Sequence, residues 1–496
     1  MDVKLEIIEK TLDELHDNNI NYCHFKSNEH LAASFSGDTD LDILFDYKQY
    51  KEIESLLISL GFRKFNTIWF VSYPYVEDYI YITEGKIVHI HAHFKLILGE
   101  SKVKSYIFPW DDVIFKNKIY LNEYNIYTTS PTDELLLLIV RTALKLPKTN
   151  KNYAKNTDTK DSIREFEWLK ERVTENEIIN LVKIRLGENY QENISNIYNE
   201  NITYENIQLF YKQFKEEFDT FRRYSYFKSK IVQISRRIAQ KFSSVNKRFN
   251  LLEFVKNHRT LNKDGLIISI MGSDGSGKST QVKLLTRILL TKMDVRYVYM
   301  GSGNGPASWH RNILNFIKKV ISKNKNKEVI KDDVNKKIPV SNSINIKSLW
   351  YVIYSLSLAI EKKRKLKKLK LFKKLGMISI TDRYPQTQIF GYNDGPLLRD
   401  YKDSSNSILK NISEYEYNLY NLSENIYPDI VIKLITNPNI LYERRKNEMT
   451  LNRIIEKQDG IKSIEFGSKT KVIEIDAGLS KEEIMKKITN IIGKNI

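Results

Sequence analysis

The run Gly272-Ser273-Asp274-Gly275-Ser276-Gly277-Lys278-Ser279-Thr280 decides the fold of the second half of this 496-residue chain. It fits the pattern G-x4-G-K-[S/T]. It stands between an apolar run, Leu266 to Met271, that predicts a strand and an amphipathic stretch over 278–292 that predicts a helix. A strand, a glycine-rich turn and a helix in that order form a phosphate cradle. The glycines let the backbone wrap an anion with its N–H groups, and the helix N-terminus adds a partial positive charge. In such a loop Lys278 reaches the β- and γ-phosphates of a nucleoside triphosphate and Ser279 ligates Mg²⁺. Gly272, Asp274, Gly275, Ser276, Gly277 and Thr280 complete the lining. ATP and Mg²⁺ are the expected ligands.

Outward from the loop, strands are expected at 295–300, 376–381, 429–435 and 471–475. Helices are expected at 309–322, 345–371, 404–420, 438–448 and 480–491, with a polar loop over 323–343. Strands spaced by helices predict an α/β fold with a parallel sheet flanked by helices, which binds ligands at the carboxyl ends of the strands. The turn Leu261-Asn-Lys-Asp-Gly265 leads into the first of these strands and marks a boundary. The chain divides into residues 1–145, an α+β domain; 146–260, a helical extension; and 261–496, the phosphate-loop domain.

Further motifs give a resemblance. Gly272 to Gln281, Ile378-Ser-Ile-Thr-Asp382-Arg383-Tyr384, Pro428-Asp-Ile-Val-Ile-Lys-Leu434, Leu441-Tyr-Glu-Arg444-Arg445-Lys446 and Val472-Ile-Glu-Ile-Asp476 follow one another over about residues 264–496. In order and spacing this set is similar to the thymidylate kinases. The resemblance implies phosphoryl transfer from ATP to a nucleoside monophosphate such as dTMP or a related acceptor. It implies that Asp274 approaches the acceptor sugar, that Asp382 holds Mg²⁺ through water, and that Arg383 grips the acceptor phosphate as a fork donor. Some members carry an arginine inside the loop, where this chain has Gly275. The transition-state charge must then be met from the basic lid, by Arg444, Arg445, Lys446 or Arg453. The family's Arg-Glu-Pro loop is replaced by Tyr299-Met-Gly-Ser-Gly-Asn-Gly-Pro306. Its Tyr-Gln pair is replaced by Pro385-Gln-Thr-Gln-Ile-Phe-Gly-Tyr392. The ATP half of the site is kept and the acceptor half rewritten.

The first 145 residues read as a helix over 2–17, strands at 22–25 and 41–45, a helix at 47–60, and strands at 68–74, 78–83 and 87–94. A helical region then runs from Ser130 to about 250. Asp40 and Asp42 lie two apart on a strand and point to one side, an arrangement that can hold divalent metal against a triphosphate. This D-x-D strand resembles the nucleotidyltransferase fold. His24-Phe-Lys26-Ser27-Asn28 stands where that superfamily has a Gly-Gly or Gly-Ser turn, and His91 stands where it has a third carboxylate. His89, His91 and His93 share a strand face and could take a transition metal. Two readings stay open here: an active nucleotidyltransferase with altered metal ligation, or a degenerate one that binds a ligand.

The composition narrows the partners. Lys and Arg number 79 against 61 Asp and Glu, a net charge of +18, which favours polyanions or reflects a lysine-rich genome. No nucleic-acid-binding signature is present, so nucleic acid is not expected. Nine of the fourteen residues 361–374 are Lys or Arg. They read either as a basic helix in peripheral contact with an anionic membrane or, preferably, as a helix packed on the sheet by its apolar stripe. One cysteine, Cys23, and no apolar signal core or spanning run lead us to expect a cytoplasmic enzyme. A dimer is compatible with the sequence. Two alternatives stand beside the kinase reading. One is a bifunctional nucleotidyltransferase and kinase acting on a sugar or alcohol for surface polysaccharide. The other is a non-catalytic binding protein.

Overall fold

The structure is a computed structural model that describes residues 4–147, 149–249, 252–301, 346–445 and 449–496. The expected helix at 309–322, the polar loop at 323–343, most of the Tyr299–Pro306 replacement and Lys446 lie outside the described residues. The chain forms two compact units, one of residues 1–81 and 86–259 and the other of 82–85 and 260–496.

The first unit carries strands β1 (Tyr22–His24), β2 (Leu41–Phe45), β3 (Arg63–Asn66), β4 (Val76–Thr83), β5 (Lys86–His93), β6 (Leu96–Leu98), β7 (Tyr106–Phe108), β8 (Ile119–Leu121) and β9 (Ile126–Thr128). Seven of them form a mixed sheet in the order β3-β4-β5-β2-β1-β9-β8, and β6 and β7 form a separate antiparallel ribbon. The strand expected at 68–74 is instead a run of turns, and the strand that pairs with β4 is Arg63–Asn66. Pro74 supplies no N–H, and burial does not alternate along the run: after Phe70, Val71, Ser72, Tyr73 and Pro74 are all partly buried. The helix Pro131–Leu144 starts at Ser130, whose hydroxyl accepts from the Asp133 N–H. Its leucines join Cys23 and Phe25 of the sheet and Phe166, Val182 and Phe210 of the helical extension in one core. Helices between residues 146 and 221 thus share a core with the sheet.

The second unit contains β10 (Thr260–Leu261), β11 (Ile267–Gly272), β12 (Val295–Tyr299), β13 (Ile378–Asp382), β14 (Ile430–Ile435) and β15 (Lys471–Asp476). The last five make an all-parallel sheet in the order β12-β13-β11-β14-β15. β11 and β13 are buried along their whole length, Ser269, Ser379, Thr381 and Asp382 included, as central strands covered on both faces should be. Each buried Ile or Met here is worth roughly 1.5–3 kcal/mol. The chain leaves β11 for one side of the sheet and later returns to its other side. The switch point therefore falls at the carboxyl end of β11, where open α/β sheets form their ligand crevice. The basic helix Ile346–Lys374 packs through Leu366, Leu369 and Phe372 into the core beside this sheet.

Candidate functional site

The phosphate loop lies at that switch point. β11 ends at Gly272, and the helix Lys278–Leu289 begins after Gly277, whose left-handed backbone (φ 81°) no side chain caps. Gly275 is also left-handed (φ 90°), so a side chain there would be strained. Gly272 is required for another reason. A Cβ on it would stand 2.4 Å from Ser276 Oγ and 3.0 Å from the Leu434 carbonyl. A Gly272→Val chain is expected to lose about 1–3 kcal/mol from overpacking, read as a lower urea midpoint for the second unit. An unchanged midpoint would show that the loop can open at its base.

Register carries the next residues to the same place. Asp382 closes β13 opposite Ile270 of β11 and Tyr299 of β12. Its Oδ2 accepts from Ser279 Oγ at 2.6 Å, while its Oδ1 is buried with no hydrogen-bond partner among the described residues. Arg383 follows with a left-handed backbone (φ 73°), a strained conformation for a non-glycine residue that turns the chain across the crevice. Its Nη2 donates to Asp274 Oδ1 at 2.5 Å, and its Nη1 lies 3.6 Å from Asp394 Oδ2.

Asp274 is the hub of the loop. It meets Lys278 Nζ at 3.1 Å, Arg383, and Lys457 Nζ at 3.5 Å. Burial alone would raise the Asp274 carboxyl, but Lys278, Arg383 and Lys457 hold it well below the usual carboxylate range. Burial and the neighbouring Arg383 lower the Lys278 ammonium, against the pull of Asp274 and Asp382. Lys278 also donates to the Ser273 carbonyl at 3.2 Å.

The lid residues divide. Arg444 Nη1 donates to the Gly275 carbonyl at 3.3 Å, and the Arg445 chain lies 3.2 Å from where a Gly275 Cβ would stand. Both belong to the loop's surroundings. Arg453 is turned to Glu456 and stacks over Tyr392 at 5.0 Å. Lys457, one helical turn further on, escaped the sequence reading. The i, i+4 spacing from Arg453 on one helix was the signal available. On the acceptor side Gln386 braces the rewritten segment, donating to the Ile389 and Asn393 carbonyls and accepting from the Gln388 and Ile389 N–H groups. Lys362, from the basic run, is buried and donates to the Asp394 carbonyl at 3.0 Å.

In the first unit the residues that carry the nucleotidyltransferase resemblance are held in ion pairs and hydrogen bonds. Asp40 faces His89 Nδ1 at 3.0 Å, and His89 Nε2 meets Asp78 at 2.8 Å. Asp42 meets Lys26 Nζ at 2.9 Å and His91 Nδ1 at 3.0 Å. Burial would raise the Asp42 carboxyl, but Lys26 and His91 bring it well below its ordinary value. Asp40 and Asp42 thus have separate partners. The turn after β1 is held likewise. Ser27 takes a left-handed backbone (φ 58°), and its N–H donates to Glu165 Oε1 at 3.2 Å. The Asn28 N–H donates to Glu134 Oε1 at 3.0 Å. Backbone donors that a glycine turn would offer to a phosphate are held by the chain's own carboxylates.

No protein-family model matches the chain. It is 28% identical over 221 residues to "Uncharacterized ATP-binding protein YghS" of Escherichia coli (strain K12), an alignment taking in 44% of this chain and 89% of that one. It is 23% identical over 225 residues to "Uncharacterized ATP-binding protein YghR" of the same strain, with 44% and 84% covered. Among solved structures, a thymidylate kinase from Candida albicans aligns over 47% of this chain and 92% of its own at 16% identity, with a TM-score of 0.27. The structure itself establishes a mixed α/β unit with a phosphate loop at the switch point of a parallel, helix-flanked sheet.

Proposed function

We propose that the second unit is an ATP-dependent phosphotransferase resembling thymidylate kinase, with a small phosphorylated acceptor. The observation that carries this reading is the convergence of Ser279, Asp382, Arg383 and Asp274 on one loop, with Ser279 Oγ 2.6 Å from Asp382 and Arg383 on Asp274. The relatives' name as ATP-binding proteins supports the donor half.

The hard oxygen donors suit Mg²⁺: a serine hydroxyl and a buried carboxylate with one oxygen unpartnered among the described residues. Ser279 and Asp382 would hold the ion, which neutralises charge on the transferring phosphoryl group. The chain's own groups do the rest. Lys278 exchanges Asp274 for phosphate oxygens and keeps its proton. Arg383, released from Asp274, presents two parallel N–H groups to the acceptor phosphate. Asp274 then faces the acceptor, while Arg444 and Arg445 approach the leaving side over Gly275. The rewritten segment 385–395 is pinned by Gln386 and flanked by Arg399 over Phe390, so the acceptor side is where a nucleoside monophosphate such as dTMP or a related acceptor would be distinguished.

A panel of acceptors tests this. Full-length protein with ATP and Mg²⁺ is incubated with dTMP, other nucleoside monophosphates, sugar phosphates and free sugars. ATP consumption coupled to a phosphorylated product from one class is the expected result. No consumption with any acceptor, together with no Mg²⁺-dependent ATP binding, overturns the assignment.

A further inference from the structure

The histidine strand of the first unit builds a cluster that the phosphotransferase does not use. β2 and β5 pair in parallel, with Asp42 opposite His91 and Leu44 opposite His93. One ligand atom from each of Asp42, His91 and His93 lies within 4.8 Å of the other two. His91 Nδ1 is 3.0 Å from Asp42 Oδ1, His93 Nε2 is 3.4 Å from His91 Nδ1, and His93 Nε2 is 3.9 Å from Asp42 Oδ1.

Hydrogen bonding accounts for only part of this. His93 is 1% exposed, and its Nδ1 has no partner among the described residues. Its Nε2 faces a nitrogen whose proton, if present, is already directed at Asp42. Two imidazole nitrogens and a carboxylate oxygen converge with too few protons among them. A buried imidazole left in that state is costly. Asp42 and His91 keep about a fifth of their side chains exposed, so the cluster opens to solvent on one side.

We propose that Asp42, His91 and His93 hold a divalent transition metal, of the Zn²⁺ and Co²⁺ class, with its remaining positions open. Two imidazoles with one carboxylate suit such an ion and not Mg²⁺. His89 is excluded from the set because it bridges Asp40 and Asp78. Lys26 is the competitor: its ammonium lies 2.9 Å from the same Asp42 oxygen that the metal takes. Lys104 adds a second, more distant positive charge that opposes the ion.

Metal-stripped full-length protein is titrated with Co²⁺ in excess Mg²⁺, which keeps the phosphate loop occupied. The visible d–d absorption of nitrogen-ligated Co²⁺ should saturate at one equivalent and be abolished by Zn²⁺. His93→Gln should weaken binding about 100-fold or more. Lys26→Gln, a change at a partly exposed position, should tighten it about 10-fold by removing the competing ammonium. No stoichiometric Co²⁺ signal, or a signal that persists in His93→Gln, overturns the proposal. Should His93→Gln fail to fold, an affinity that Lys26→Gln leaves unchanged or lowers overturns it as well.

Discussion

Replacing Lys278 by alanine is expected to cut phosphoryl transfer by about a thousandfold or more, the scale set by losing one preorganised cation from a phosphoryl-transfer site. The fold should survive. Lys278 is buried, and its ammonium touches Asp274 and the Ser273 carbonyl. Without it, Asp274 still has Arg383 and Lys457, so no carboxylate is left uncompensated. Burial already lowers the Lys278 pKa, so removing the ammonium also relieves a desolvation penalty. Activity and stability should therefore separate: turnover collapses while the thermal midpoint holds or rises slightly. Steady-state ATP turnover with the accepted substrate, beside a melting curve, gives both readings. Turnover within a few-fold of wild type would remove the phosphate loop from the chemistry, whatever the acceptor proved to be.

The loop was legible in the sequence because backbone geometry alone demands its glycines, and the flanking strand and helix have unambiguous periods. That Asp382 sits at the carboxyl end of its strand, on the crevice side, has the same source, since parallel strands fed by helices align their carboxyl ends; its pairing with Ile270 is visible only in the structure. Lys457 was not legible. It reaches Asp274 by tertiary packing of the helix Leu451–Ser463, and its i, i+4 spacing from Arg453 does not by itself mark it, rather than Lys462 of the same helix, as the lysine that meets the loop. The basic run 361–374 packs beside the sheet through its apolar stripe, the arrangement preferred from the sequence, with Leu366, Leu369 and Phe372 in the core. Its composition does not reveal that Lys362 is buried against Asp394 or that Lys365 reaches the Tyr299 carbonyl at 2.7 Å. Charge counts cannot tell which lysines find partners. The strand misplaced at 68–74 has the same origin: an apolar run without alternation fits several backbones, and Pro74 decides against a ladder. In the first unit Asp42 and His91 lie on strands that the sequence predicts, opposite one another in register. The partners Lys26, Glu134 and Glu165 come from sequence distances of 16 to 138 residues and could not be read from the sequence.

Lys104→Met should stabilise the first unit at neutral and acid pH, with a gain that shrinks as pH rises. Lys104 lies between β6 and β7, with its ammonium 4.5 Å from the Tyr73 ring. Burial, reinforced by Lys26, lowers its pKa to about 7. The unfolded chain titrates this group near its ordinary value of 10.5, so between about pH 7 and 10.5 the unfolded state binds the extra proton. Stability from this group therefore rises with pH across that window. Below about pH 7 the penalty of holding a buried ammonium is present in full. The whole gap corresponds to about 5 kcal/mol, and partial exposure with the Tyr73 contact reduces the expected gain to about 2–3 kcal/mol at pH 6. Because the two units need not unfold together, amide exchange of peptides spanning residues 96–108, followed from pH 6 to pH 9, isolates the effect. Methionine keeps the length and apolar contacts of the side chain, so the comparison removes the charge and little else. The difference between variant and wild type should be largest at pH 6 and should shrink steadily towards pH 9. A difference that grows with pH, or none at pH 6, would mean that Lys104 is charge-balanced by an anion in the fold, and the electrostatic account of the Asp42 cluster would have to be redrawn around that anion.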